Sequence, residues 1–342
     1  MLDRKDMISL ESGLESIDRG ARFMPFELIP ERKDGSAPDR LLWVEFGDQA
    51  FSSPFTDQEL VEQAPGIRWF ASRIEDVDRV NHHLDPVPLR GVVMHMSRCG
   101  STLGRMLLGQ VKDAFVLSEP RIVNSTITGS AASRLATIMR AVLAGKSGPF
   151  GSAYLKCTSW NVLHGEVLLD ALDAPPAIFL HRDPTEVLVS HHLAVANHDP
   201  RYRVAPPRGV DPDPAANLAR LLEAAFELED DGRLRFVAYE DIIDRFIDGD
   251  LPDHLGYVVD AETRSRMLAV ADMDSKQPDR KFRPDRDEKR SFATKNPAIR
   301  NAAAELADLH AEACRRSAWA HPGNRDSRSR DRPATPKRRG SV

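Results

Sequence analysis

Short apolar runs alternate with longer amphipathic stretches from residue 91 onward. The runs predict strands buried on both faces, at residues 91–96, 114–117, 153–155, 177–180 and 234–238. The stretches predict helices, at residues 103–111, 130–143, 162–172, 185–195 and 215–228. Alternating strands and helices indicate an α/β fold, with a parallel sheet of about five strands flanked by helices. Ligands of such sheets bind at the carboxyl ends of the strands.

The chain before residue 91 has a different pattern. Residues 41–46 predict a strand, and residues 56–62 predict the beginning of a short helix. We interpret residues 1–90 as an N-terminal cap without recognisable chemistry, and residues 91–318 as the main domain. Residues 298–318 predict a final amphipathic helix. The polar, basic composition of residues 319–342 is typical of a disordered tail.

Composition narrows the class of protein. The 342 residues are 41% hydrophobic and carry a net charge of -5, which is ordinary for a globular protein and unlike a nucleic-acid-binding protein. Cys99, Cys157 and Cys314 form no CxxC pair, which argues against a disulfide framework or a zinc knuckle and favours a reducing, cytoplasmic setting. No run of apolar residues is long enough to predict a membrane span.

The segment Val92–Leu108 (VVMHMSRCGSTLGRMLL) places a glycine turn between a strand and a helix that begins at about Thr102. The first turn of a helix exposes unpaired N–H groups at the positive end of the helix dipole, which together bind anions. Gly100 permits close approach of the backbone, Ser101 adds a hydroxyl donor as Thr102 does, and Arg98 adds a positive charge. These residues predict a phosphate-binding loop.

This loop is not a Walker loop, because the required Lys is missing, and an ATPase is therefore disfavoured. A Gly-Lys-Ser sequence does occur at residues 145–147, but Arg140 stands where the first Gly of a Walker loop should be. It also follows a predicted helix rather than a strand. We interpret residues 145–147 as a surface turn.

A second candidate motif lies at residues 177–190 (AIFLHRDPTEVLVS). A buried strand ends at Arg182, and Asp183 with Pro184 predicts the start of a helix. Ser190 follows two turns into that helix, on the face that can meet the same ligand as Arg182. This interpretation requires that Arg182 and the glycine turn of the first motif face one cavity.

The two motifs together resemble the sulfotransferases, across roughly residues 91–290. SRCGSTL, at residues 97–103, resembles the 5′-phosphosulfate loop of that family, and its Arg form is closer to the bacterial and tyrosylprotein branches than to the cytosolic branch. Arg182 and Ser190 match the family's 3′-phosphate motif. The resemblance implies a P-loop-like fold that binds the donor PAPS (3′-phosphoadenylyl sulfate) and releases PAP. The loop residues implied to bind the nucleotide are Arg98, Cys99, Gly100, Ser101 and Thr102.

Two later segments resemble the family as well. Residues 236–241 (FVAYED) are similar to its last core strand, and residues 276–290 to the C-terminal basic loop that closes over the nucleotide. Within that loop, Lys276 and Arg280 are the implied nucleotide contacts.

Sulfuryl transfer spreads negative charge over oxygen atoms, so positioning and fixed positive charges can catalyse it without a metal. We choose Arg98 to bridge the 5′-phosphate and the sulfuryl group, and Lys156, at the end of the third strand, to stabilise the bridging oxygen. The acceptor hydroxyl or amine needs a general base. Glu119, at the end of the second strand, matches the base of the bacterial and tyrosylprotein branches by position. We expect no metal in this site.

Two histidine positions lie near these motifs. His95 precedes the glycine turn on a buried strand, and we interpret it as a core residue. His191 and His192 follow Ser190 and are candidates for the acceptor pocket, although a partly buried helix face is their ordinary role.

Two alternative functions remain open. Cys99 and Arg105 form C-x5-R, the pattern of cysteine-dependent phosphatases, in which a thiolate of low pKa lies at a helix N-terminus. The second alternative is a non-catalytic nucleotide-binding protein with a sulfotransferase-like fold. The acceptor, whether a small molecule or a macromolecule, is not specified by any motif. Nucleic acid is not an expected partner, and no membrane span is expected.

Overall fold

A computed structural model of the chain provides the structure. It describes residues 2–29, 39–47, 51, 53, 55–63, 66–81, 85–128, 131–146, 148–194, 213–274 and 277–319. The strands are β1 (Phe23–Ile29), β2 (Arg40–Glu45), β3 (Trp69–Arg73), β4 (Leu89–His95), β5 (Ala114–Ser118), β6 (Ser152–Lys156), β7 (Ala177–His181), β8 (Arg235–Ala238), β9 (Met273–Asp274) and β10 (Gln277–Lys281).

The main sheet is parallel and has five strands in the order β5-β6-β4-β7-β8. All five strands were predicted from their apolar runs, and the α/β class is confirmed. β4 is central. The chain leaves it toward β5 at one edge, returns through β6, and then crosses to β7 on the other side. Loops that follow β4 and β7 therefore diverge, which is where open α/β sheets bind ligands.

Helices flank the main sheet, as predicted. The α-helices of the described residues are α1 (Leu10–Asp18), α2 (Thr56–Gln63), α3 (Val77–Asn81), α4 (Ser101–Leu108), α5 (Arg121–Ile127), α6 (Leu135–Gly145), α7 (Gly165–Ala171), α8 (Pro184–Ala194), α9 (Pro214–Asp230), α10 (Ile242–Ile247), α11 (Leu251–Leu255), α12 (Ala261–Ala271), α13 (Arg286–Thr294), α14 (Pro297–Glu305) and α15 (Ala307–Arg316). Of these, α1 packs on β3 of the N-terminal region.

The predicted final helix over residues 298–318 is wrong as a single element, because the structure has α14 and α15 there. Leu306 separates them with φ -93° and ψ -1°, and its N–H donates to the Ala303 carbonyl, as in a tighter turn. The Leu306 side chain is buried, so packing fixes the break. Of the predicted tail only Trp319 is described, and residues 320–342 lie outside the described residues.

Residues of the predicted N-terminal cap form a three-stranded antiparallel sheet in the order β1-β2-β3. The rings of Phe23 and Trp43 both pack on Phe70, at centroid distances of 5.1 and 5.5 Å. β1 packs on α5 and α6, so the buried side chains of this sheet are continuous with those of the main sheet. The division at residue 90 stays a prediction.

The interpretation of residues 145–147 as a surface turn is wrong for its first two residues. A Cβ at Gly145 would lie 2.3 Å from the Phe23 carbonyl oxygen, so only glycine permits β1 to pass this close. Lys146 is fully buried, and its Nζ donates to the Gly47 carbonyl at 2.9 Å. The Lys146 ammonium therefore contacts the backbone that follows β2 rather than a phosphate. Ser147 lies outside the described residues.

Among the described residues, no helix combines the length and the apolar character that crossing a membrane requires.

Candidate active site

A cavity of about 800 Å³ opens at the carboxyl ends of the parallel strands. This volume is typical of sites for small molecules and cofactors. Both candidate motifs line it, since Gly100 of the first and Arg182 of the second face the same space. The other predicted residues in its lining are Arg98, Ser101, Thr102, Glu119 and Ser190.

The turn after β4 adopts an unusual backbone conformation. Ser97 and Arg98 have φ of 72° and 51°, and Gly100 has φ of 85°, all in the left-handed region. Non-glycine residues rarely take this conformation, and such strain concentrates at functional sites. A Cβ at Gly100 would also lie 2.7 Å from the Tyr239 ring. Gly100 is therefore required both by its dihedral angles and by the close approach of Tyr239.

Helix α4 begins directly after this turn, at Ser101 rather than at about Thr102. Its N-cap is Gly100, which has no side chain to accept hydrogen bonds from the first turn. Those N–H groups form the positive end of the helix dipole at the cavity. The Ser101 and Thr102 side chains line the same wall. The local geometry thus fits an anion, as the sequence predicted.

Arg98 adds a positive charge beside the helix N-terminus. Among the described residues, its terminal nitrogen makes one long contact of 3.4 Å to the Ser190 carbonyl, and its buried Nε has no hydrogen-bond partner. The pKa of Arg98 is lowered because the group is buried, and the negative charge of Asp285 opposes this shift only in part. A buried guanidinium nitrogen without a partner is costly, and an anion in the cavity would satisfy it.

Arg182 is held rigidly at the end of β7. Its Nε donates to Glu186 at 2.7 Å, and Glu186, which is fully buried, also accepts from Arg286 Nε at 2.8 Å. The guanidinium carbon lies 3.9 Å from the centre of the Tyr239 ring. These contacts fix the guanidinium on the cavity wall. Ser190, two turns into α8, lines the cavity too, as its predicted role requires.

Helix α13 and the loop before it contribute two further charges. Asp285 lies 3.5 Å from an Arg182 terminal nitrogen and 2.8 Å from Lys289 Nζ. Burial lowers the pKa of Lys289, although the hydrogen bond that its ammonium donates to Asp285 partly opposes this shift. Lys289 falls inside the predicted basic loop but was not chosen from the sequence. Arg280 was chosen from the sequence, but it is exposed on β10 and does not line the cavity.

Lys276, the other residue chosen from the basic loop, lies outside the described residues.

A second charged group involves Glu119, which lines the cavity, and Lys156, which is fully buried and is not part of the cavity lining. Glu119 follows β5 with φ of 50°, and its N–H donates to the Lys156 carbonyl at 2.7 Å. The Lys156 ammonium donates in turn to Glu119 Oε1. Burial opposes ionisation of Glu119, but Lys156 and His95 outweigh it and lower the pKa of Glu119 to about 2. The carboxylate is therefore ionised at neutral pH.

His95 belongs to the site, and its interpretation as a core residue is incomplete. It is buried, but it also lines the cavity, with Nε2 3.7 Å from Glu119 Oε1. Nε2 donates to the Cys157 carbonyl at 2.9 Å, and Nδ1 accepts the Ser97 N–H at 3.0 Å. Burial lowers the pKa of His95, which keeps the ring neutral. His95 thus positions the phosphate loop and is not itself free to accept a proton.

The N-terminal region contributes a cavity wall that the sequence did not reveal. The Phe55 ring lines the cavity, and Lys156 Nζ lies 5.1 Å from its centre. Just after it, the Thr56 hydroxyl accepts the Ser118 N–H at 3.0 Å, which ties α2 to the end of β5. No motif marks these residues, because only the fold brings them to the main sheet.

Five apolar side chains also line the cavity. They are Leu103, Ile243, Ala271, Met273 and Phe282. Apolar side chains beside fixed charges suit a ligand with one apolar and one anionic part. His191 also lines the cavity, in agreement with its interpretation as a pocket candidate.

The Cys99 thiol is turned away from the cavity. It donates to the Leu180 carbonyl at 3.1 Å, and burial raises the pKa of Cys99 to about 12. A phosphatase nucleophile needs the opposite shift. Arg105, the second residue of the C-x5-R pattern, is also buried and donates to the Phe51 carbonyl. Only the Cys99 backbone remains available for a ligand in the loop.

Comparison with known proteins finds relatives only among solved structures. The chain is similar to a sulfotransferase from Mycobacterium avium, at 14% identity and a TM-score of 0.41 over 68% of this chain and 78% of that one. It is similar to the sulfotransferase domain of the Synechococcus PCC 7002 olefin synthase, at 17% identity and a TM-score of 0.40 over 67% and 96%. It is also similar to a mouse sulfotransferase in complex with PAP, at 13% identity and a TM-score of 0.38 over 71% of this chain and 89% of that one. No family model and no curated protein matches the sequence.

Proposed function

We propose that this chain is a PAPS-dependent sulfotransferase. The observation that carries the proposal is the shared cavity, which three features line: Arg98, whose buried Nε has no partner in the described part of the chain, the N-terminus of α4 without a side-chain cap, and Arg182. Three separate anion-binding features in one space suit a ligand with more than one phosphate-like group. PAPS carries a 5′-phosphosulfate and a 3′-phosphate.

The glycine turn is the proposed site of the 5′-phosphosulfate. N–H groups of the first α4 turn, with the Ser101 and Thr102 hydroxyls, would bind the phosphate oxygens, and Arg98 would span the phosphate and the sulfuryl group. The contact of Arg98 with the Ser190 carbonyl is long enough to be exchanged for an anion.

Arg182 and Ser190 are the proposed site of the 3′-phosphate, which would replace Asp285 at the Arg182 guanidinium. The Asp285 side chain also forms an ion pair with Lys289. Because it is 44% exposed, it can move into solvent as the phosphate arrives. The apolar side chains of the cavity lining would then receive the adenine ring.

The reaction is an in-line displacement at sulfur. The acceptor oxygen or nitrogen forms a bond to sulfur, the bond from sulfur to the 5′-phosphate oxygen breaks, and the acceptor's proton passes to Glu119. PAP leaves with the electron pair of the broken bond. Fixed charges from Arg98 and Lys156 stabilise the negative charge that grows on these oxygens.

The ion pair of Glu119 and Lys156 gives this reaction a built-in order. A carboxylate with a pKa of about 2 is a weak base while Lys156 holds it. If Lys156 turns toward the anionic donor, Glu119 loses its main stabilising charge, and its pKa rises in a site where burial already opposes ionisation. Donor binding would therefore activate the base.

The acceptor is proposed to enter beside Phe55, His95 and Glu119, which line the same cavity as Arg182. A hydroxyl or amine is the proposed acceptor group. A cytoplasmic setting remains part of the proposal, in keeping with three cysteines that form no disulfide in the described residues.

Calorimetric titration with PAP tests the donor site directly. We expect one PAP per chain, with ATP and inorganic phosphate binding more weakly since neither presents both a 3′- and a 5′-phosphate. Transfer of label from sulfur-35 PAPS to a panel of phenols, sugars, amines and peptides tests the activity. PAP binding no tighter than that of ATP would contradict the donor assignment, and PAP binding without transfer to any acceptor would favour a non-catalytic role.

A further inference from the structure

His181 is a buried histidine whose contacts leave both ring nitrogens unused. It ends β7, directly before Arg182, and it is 1% exposed. Neither Nδ1 nor Nε2 has a hydrogen-bond partner in the described part of the chain. Buried polar atoms are nearly always paired, so two orphan nitrogens on one ring call for a ligand.

Two further ligand atoms face this ring from α15. His310 and Cys314 are four residues apart, so they project from the same face of the helix. Their Nε2 and Sγ atoms lie 3.5 Å apart, and one ligand atom from each of the three residues lies within 4.8 Å of the others. Tetrahedral zinc with Zn–N near 2.05 Å and Zn–S near 2.3 Å would set the nitrogen–sulfur distance at about 3.6 Å.

We propose that His181, His310 and Cys314 bind one Zn²⁺ ion at a site separate from the nucleotide cavity. Two imidazoles and a thiolate are ligands that zinc prefers, and they leave one of four positions for water. Cys314 is exposed, which gives the ion a path from solvent. Binding replaces the thiol proton, which is released to solvent, and involves no change in oxidation state.

The ion would connect the C-terminal helix to the strand that delivers Arg182. His181 pairs with Ala238 in the sheet, whereas His310 and Cys314 lie on α15, which packs on β8 and α9. A bond from the metal to His181 would restrict the end of β7 one residue before Arg182. We therefore expect zinc to stabilise the fold and to sharpen PAP binding modestly, not to take part in transfer.

The test uses the full chain without an affinity tag. Metal is removed by dialysis against a chelator, and Zn²⁺ is returned in competition with a chromophoric chelator. We expect one Zn²⁺ per chain. Cys314→Ser and His310→Ala should each weaken binding by more than about 100-fold, since even outer-shell changes cost about 10- to 100-fold. His164→Ala, which removes a histidine outside the cluster, should retain full binding.

Cobalt and a buried variant provide independent measurements. Co²⁺ in the wild type should give intense tetrahedral d–d absorption and a thiolate charge-transfer band that Cys314→Ser removes. His181→Leu should abolish the zinc-dependent rise in the unfolding midpoint while the metal-free protein unfolds no earlier than the wild type, because two orphan nitrogens are replaced by apolar surface. Zinc affinity that is equal in the wild type and in the His310→Ala, Cys314→Ser double variant would overturn the proposal, as would a cobalt complex without the thiolate band.

Discussion

Glu119 and Lys156 are joined twice, since the Lys156 ammonium donates to the Glu119 carboxylate and the Glu119 N–H donates to the Lys156 carbonyl at 2.7 Å. Lys156 ends β6, and Glu119 directly follows the neighbouring strand β5, whose last residue, Ser118, pairs with Lys156 in register. The positively charged lysine therefore lies on the carboxylate that the proposed reaction uses as its base. Its position makes the first two predictions below specific to this chain.

Glu119→Gln should leave PAP binding intact and reduce sulfuryl transfer by about 10²- to 10⁴-fold, the usual contribution of a general base. Glutamine keeps the size of the side chain but cannot take a proton from the acceptor. The measurement is single-turnover transfer from labelled PAPS, with PAP affinity by calorimetry. Glu305→Gln, on the exposed face of α14, is the matched control and should transfer at the wild-type rate. Full activity in Glu119→Gln would remove Glu119 from the mechanism.

The same ion pair predicts an acid-dependent stability. The pKa of Glu119 is lowered from 4.5 to about 2, so its ionised form stabilises the folded chain above pH 4.5, and this contribution disappears as the pH falls toward 2. Glu119→Gln should thus lower the free energy of unfolding by about 1–3 kcal/mol at pH 7, where it leaves buried Lys156 unpaired. The difference from the wild type should shrink on acidification.

Urea unfolding measured between pH 7 and pH 2 checks this. Curves for Glu305→Gln should run parallel to the wild type throughout. A difference between Glu119→Gln and the wild type that stays constant with pH would show that the pair is not ionic.

Gly100→Ala should abolish PAP binding and lower the thermal unfolding midpoint. The new methyl group would meet the Tyr239 ring at 2.7 Å, in addition to the strain of φ +85°. Gly232→Ala is the matched control, because Gly232 has φ +74° but nothing within 4 Å of the added Cβ. Differential scanning fluorimetry with and without PAP separates the two contributions. Equal losses in both variants would mean that the clash with Tyr239 has no effect.

Arg182 is expected to recognise the 3′-phosphate specifically. Replacing it alone would leave Glu186 buried with one partner fewer, so the double variant Arg182→Met, Glu186→Gln is the cleaner change. PAP affinity should fall about 10- to 100-fold, the value of one or two charge-assisted hydrogen bonds. Adenosine 5′-phosphosulfate, which lacks the 3′-phosphate, should bind both proteins equally. An equal loss for both ligands would assign Arg182 a structural role.

Asp285→Asn should tighten PAP binding several-fold. Asp285 lies 3.5 Å from Arg182 and interacts electrostatically with Arg98, so its negative charge competes with the phosphates for both guanidinium groups. Asp287→Asn removes an exposed charge from the first turn of the same helix and controls for net charge. Calorimetry at low ionic strength gives the largest difference. Weaker binding in Asp285→Asn would indicate that Asp285 orders Lys289 rather than competing with the ligand.

Local patterns predicted the elements of the main sheet well, because each element depends on neighbouring residues. The run at residues 177–180 is apolar throughout and forms β7, with every residue buried. The glycine turn at Gly100 was recognisable because a strand, a turn and a helix N-terminus adjoin in the chain. The break between α14 and α15 was missed, since it depends on where the Leu306 side chain packs.

Sequence alone therefore determined the α/β class and marked the glycine turn, Arg182 and Glu119 as candidate site residues, because all of these follow from residue type and local order. Tertiary structure alone decided which charges meet. It placed Phe55 from the N-terminal region on the cavity wall, turned His95 toward the phosphate loop, and brought His181 to the C-terminal helix. Such contacts join residues distant in the chain, and no local pattern encodes the path of the backbone that brings them within reach.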